Sequence, residues 1–169
     1  MGPRLVGLAA ILARRQGAAA AQTLLRKSSA WMADPSNDAA RQALVEQLRV
    51  GAEKAGGTAA RLSARLAKEI DKRRVSVGAW ERDVMSLRYE VADMAPGPVR
   101  DAALGAYAAQ VSAAVHLIAG AGNPDRARAD VLRALAAEER MLRGERLGAA
   151  EKQRALDAVA AARAACSAR

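Results

Sequence analysis

Alanine supplies 45 of the 169 residues and phenylalanine none, and this leaves the chain little to fold into except helices. Alanine is the residue that helix formation costs least. Strands draw on β-branched and aromatic side chains, and here there are only two tryptophans and two tyrosines. A β-sandwich or β-barrel is therefore excluded. Disorder is opposed by an apolar content of 51%, which is more than an unfolded composition carries. The single cysteine, Cys166, forbids an intrachain disulfide and fits a reducing cytosol. The expected fold is all-α: an antiparallel bundle of about six helices with short Pro/Gly connections.

Punctuation along the chain divides it. Residues 3–28 read as one helix with soft spots at Gly7 and Gly17. If continuous, it places Arg4, Arg15 and Arg26 on one face, because a spacing of eleven is close to three turns. Asp34-Pro35 reads as a cap followed by a first helical residue. From Leu44 through Leu48, Ala59, Leu62, Leu66 and Ile70 the helical period keeps its phase, so a single long helix with a weak point at Gly56-Gly57 is expected. Ser76 caps the next helix. On it Val77, Trp80, Val84, Leu87, Val91 and Met94 recur at spacings 3, 4, 3, 4, 3, the seam of a helix packed on a neighbour. Pro98 and Pro124 each open a helix, the second capped by Asn123. Residues 98–119 are apolar nearly all round, which suits a central helix better than a membrane span. The expected division is a basic amphipathic N-terminal helical segment, 1–33, and a helical bundle domain, 34–169.

The formal charge of +9 is local. Residues 1–33 carry Arg4, Arg14, Arg15, Arg26 and Lys27 without an acid. Residues 61–74 carry six bases against Glu69 and Asp71. Lys54, Arg61, Arg65, Lys68 and Lys72 recur at spacings 7, 4, 3, 4, one stripe on a continuous helix, extended by Arg73 and Arg74. Aligned cations make a field that attracts phosphates and carboxylates.

Catalytic constellations are missing. One histidine and one cysteine cannot make a zinc or di-iron site. No cofactor motif is present, because the glycine pairs lack the strand and lysine of a phosphate loop. His116 reads as a core or groove histidine, and Cys166 as a frayed terminal residue. Glu138-Glu139 point about 100° apart on a helix and form no dyad. Asp83 and Glu90 read as solvated charges.

The chain is thus expected to be a non-enzymatic interaction protein docking through a basic face on an acidic partner. An anionic membrane surface ranks just ahead of the alternatives, with Leu5, Val6, Leu8, Ile11 and Leu12 entering the interface and each nearby cation adding about 1 kcal/mol. The alternatives are nucleic-acid backbone binding by the 54–74 stripe, where only Trp31, Trp80, Tyr89 and Tyr107 could stack on bases, and an acidic protein, the chain then being a small subunit or adaptor. The expected location is cytoplasmic and peripheral to the membrane. Organellar import is the alternative suggested by the acid-free N-terminus.

Overall fold

The computed structural model describes residues 1–70 and 75–168. Among them it has α-helices and no strand, so the fold is all-α. In order these are α1 (Gly2–Gln16), α2 (Ala18–Ala33), α3 (Asp38–Ala55), α4 (Gly57–Ile70), α5 (Val77–Asp93), α6 (Pro98–Ser112), α7 (Ala114–Ala119), α8 (Pro124–Gly144) and α9 (Ala149–Ser167). The number exceeds six because three expected helices are each divided in two.

The first division is at Gly17. Its φ of 90° lies in the left-handed region, which a side chain resists and glycine enters freely. The backbone reverses there, and α1 and α2 fold onto each other. Arg4, Arg15 and Arg26 therefore do not share a face. The second division is at Gly56 and Gly57, whose φ angles are 62° and 56°. The expected single helix is two, and α4 returns along α3. The apolar phase survives because both helices face one core: Leu44 and Leu48 are buried on α3, and Ala59, Leu66 and Ile70 on α4. The third division, at Ala113, separates α6 from α7 within the apolar stretch. By length and composition 98–119 could cross a membrane, and half of its apolar window is buried against other helices.

Two of the three expected caps form. Ser76 Oγ accepts from Ala79 N at 3.2 Å, and Asn123 Oδ1 from Arg126 N at 3.0 Å. Asp34 is a correction. Its carboxylate accepts from Ser36 N at 3.1 Å and so holds the turn after α2. Asn37 caps α3, accepting from Ala40 N at 3.0 Å. Both are side chains that compete for backbone amides, and the one adjacent to the first turn takes the cap.

The seam of α5 forms as its spacing predicts. Trp80, Val84, Leu87 and Val91 are buried, and Val77 and Met94 are partly buried against the same core. Trp80 also donates its indole N–H to the Gln110 carbonyl at 2.6 Å, so the largest core residue leaves no polar atom unpaired. Residues 1–33 share this core. Leu5, Val6, Leu8 and Leu12 of α1 and Leu24, Leu25, Trp31 and Met32 of α2 are all buried, and Ile11 packs against them. The apolar side chains expected to enter a membrane interface are thus turned inward. Cys166 is likewise buried on α9, not frayed.

Burial of a large apolar side chain contributes about 1.5–3 kcal/mol, and a domain of this size is stable by about 5–15 kcal/mol in all. Removing residues 1–33 takes away nine such side chains, Met1 included. The truncated chain is expected to lose its cooperative thermal transition in circular dichroism. A truncated chain that still melts cooperatively near the full-length temperature would show that α1 and α2 are dispensable.

Candidate functional site

The reversals bring one cation of the N-terminal run to the basic run of α4. Arg4, from the first turn of α1, stands beside Arg61, Arg65 and Lys68 of α4 around a groove of about 920 Å³. Pro3 and Ala64 supply apolar wall, and Glu69 and Asp83 the acids. On α4 the three cations keep the expected spacing of 4 and 3, so they stay on one side of the helix while Leu66 and Ile70 turn to the core.

Glu69 is the pivot. It accepts from Arg4 Nη1 at 2.8 Å and from Arg65 Nε at 2.8 Å. The Arg65 hydrogen bond, with Arg4 beside it, holds the Glu69 carboxyl below its ordinary value of 4.5. Arg61 and Lys68 are exposed and have no such partner among the described residues. Exposed ion pairs contribute about 0–1 kcal/mol each, so stability does not require this concentration of cations.

The other expected cations lie apart from the groove. Arg14 and Arg15 are exposed at the end of α1. Arg15 Nη1 reaches the carbonyls of Ala55 at 3.3 Å and Gly56 at 3.5 Å, where a cation satisfies the free carbonyls of a helix C-terminus. Lys54 is exposed in that same last turn of α3. Because α3 and α4 are separate helices, Lys54 is not on the α4 stripe. Arg26 is exposed on α2, with Thr23 Oγ1 at 3.4 Å. Lys72, Arg73 and Arg74 lie outside the described residues.

Two further readings are corrected. His116 is exposed, with Nδ1 3.7 Å from Asp34, because it lies on the outer side of α7 while Ala114 and Ile118 turn to the core. Asp83 is not a free solvated charge, since it receives the Met1 amine at 2.7 Å.

A buried polar network went unread in the sequence. Arg88 donates from Nε to Glu138 Oε1 at 2.7 Å and from Nη1 to Glu145. The Tyr107 hydroxyl donates to the same Glu138 oxygen at 3.1 Å. Burial pushes the Glu138 carboxyl up, against the pull of Arg88, and burial beside that carboxylate also pushes Tyr107 up. The signal was present on α8: Val131, Leu135, Glu138 and Leu142 recur at spacings 4, 3, 4, so Glu138 sits on the inward face. Arg100 makes a second node, donating to the Met94 carbonyl at 2.7 Å and to Glu151 at 2.8 Å.

Comparison with known proteins finds no matching family model, no similar curated protein and no similar solved structure.

The depressed Glu69 carboxyl sets a sign. The stability it contributes is complete above pH 4.5 and is lost as pH falls through its lower folded value. In a carboxyl-carbon NMR titration Glu69 is expected to have its midpoint below 4.5, moving back up in Arg65→Ala. A midpoint at or above 4.5 in the wild type would contradict the pairing.

Proposed function

We propose that the protein is a non-enzymatic docking protein whose α1–α4 groove takes an acidic segment of a partner protein. The observation that carries this reading is the meeting of Arg4 with Arg61, Arg65 and Lys68 around one concavity. These cations come from stretches more than fifty residues apart, and the fold gains little from gathering them.

The shape of the site favours a protein segment over the alternatives. A membrane presents a broad surface, and insertion would call on Leu5, Val6, Leu8 and Leu12, which are in the core. Nucleic acid binding along a single strand uses stacking platforms. Trp31, Trp80 and Tyr107 are buried, and Tyr89 is exposed on α5 outside the groove. A concave site with an apolar wall and cations at its rim suits carboxylates carried on a peptide. Arg61 and Lys68 meet such a segment first. Arg4 and Arg65 join by exchanging Glu69 for a carboxylate of the partner. The +9 charge steers the encounter, and the affinity falls with added salt.

The test uses a fluorescent glutamate-rich peptide, anionic phosphatidylserine vesicles and duplex DNA as parallel probes. The peptide is expected to bind at low salt. Arg61→Ala with Lys68→Ala should weaken it about tenfold, the scale of one to two charged contacts. Glu69→Gln, which releases Arg4 and Arg65, should strengthen it several-fold. Indifference of peptide binding to both changes, or tighter binding of vesicles or DNA through the same cations, would overturn the reading.

A further inference from the structure

A second groove, independent of the basic one, lies between α5 and α8. It encloses about 170 Å³, with Trp80 and Val84 on one wall and Ala134, Leu135 and Ala137 on the other. Met85 and Met141 stand at its mouth, 44% and 49% exposed, and Tyr89 follows Met85 by one turn at 50%. These are three of the four large apolar side chains left most exposed among the described residues. Methionine at the edge of a groove adapts to many occupants, and the small alanines of α8 leave room for a helix to approach.

The groove is also acidic, in a protein that is otherwise basic. Glu81 and Glu138 line it. Arg88, its one cation, is already spent between Glu138 and Glu145. The hydrogen bonds to Glu138 both end on Oε1, and none reaches Oε2 from the described residues. The side chain is more than nine-tenths buried, at 8% exposure. Oε2 keeps access to solvent and can accept from a cation that enters the groove.

We propose that the α5–α8 groove receives a lysine or arginine side chain from a basic amphipathic helix of a partner protein. The cationic head meets Glu138 Oε2 and Glu81, and the aliphatic stem lies along Trp80, Val84 and the two methionines. Long basic side chains combine an apolar stem with a charged end, which matches an apolar channel closed by a carboxylate. The volume accommodates one such side chain, and Met85, Tyr89 and Met141 cover the apolar face of the helix that brings it.

The experiment follows the methyl signals of carbon-13-labelled methionine in the intact protein, where Met32, buried between other helices, serves as the internal reference. The probe is a short amphipathic helical peptide of leucine and lysine, compared with versions carrying glutamine or glutamate in place of lysine. The lysine peptide is expected to shift Met85 and Met141 saturably while Met32 stays in place, although the net charge of the protein repels it. The glutamine peptide should bind at least tenfold more weakly, and the glutamate peptide should leave both signals unmoved. Glu81→Gln, at an exposed position, should weaken the lysine peptide several-fold. Glu138→Gln should remove the response while the Met32 signal reports an intact core. Three results would overturn the proposal: no movement of Met85 and Met141, equal response to the glutamine peptide, or movement on concentrating the protein alone, which would make the occupant a second copy of the chain.

Discussion

Of the four described glycines held where a side chain would resist the backbone, three reverse the chain, and the distribution of charge on the surface follows from them. With φ at 90° the chain reverses at Gly17, and with φ at 62° and 56° it reverses again at Gly56 and Gly57. In a chain of good helix formers, continuation is otherwise the cheaper path, since extending a helix adds one bond per residue fixed. The reversals are held by what they bury. α1 and α2 close over α5 and α6, and α3 and α4 close on each other. The same turns carry Arg4 to α4 and Arg15 to the end of α3. The cations thus fall into two uses. Arg15 supports a helix terminus, whereas Arg61 and Lys68 line a groove that no packing requirement fills.

Buried charge in this protein follows a different rule. Arg88 lies between two carboxylates, Glu138 also takes the Tyr107 hydroxyl, and the arrangement joins α5, α6 and α8. Replacing such a buried pair with apolar side chains is often neutral or stabilising, while removing one partner alone costs about 3–5 kcal/mol. The network therefore fixes which helices meet more than it adds net stability. Glu138 also lines the α5–α8 groove.

The sequence made the local features legible and left the long-range ones hidden. The caps at Ser76 and Asn123, the starts at Pro98 and Pro124 and the seam from Val77 to Met94 each depend on residues within one or two turns, and all were readable. The glycine reversals were not. Glycine inside a helix and glycine past its end are the same letter, and the apolar phase continues across Gly56-Gly57 because both arms face one core. The spacing of Arg61, Arg65 and Lys68 was plain, but the arrival of Arg4 beside them depends on both reversals. Glu138 occupied an inward position of α8 in plain view. Its partner Arg88 lies fifty residues away, and no periodicity connects the two.

The proposed site depends on the placement of charge rather than on its total. The direct measurement compares two triple variants of equal net charge for affinity toward one glutamate-rich peptide across a salt series. One is Arg4→Ala, Arg61→Ala, Lys68→Ala at the groove. The other is Arg26→Ala, Arg126→Ala, Arg140→Ala at exposed positions of α2 and α8. The first variant is expected to lose binding and its salt dependence while the second keeps both near the wild-type values. Equal losses in the two would contradict it, leaving only a generally basic protein and no groove that selects.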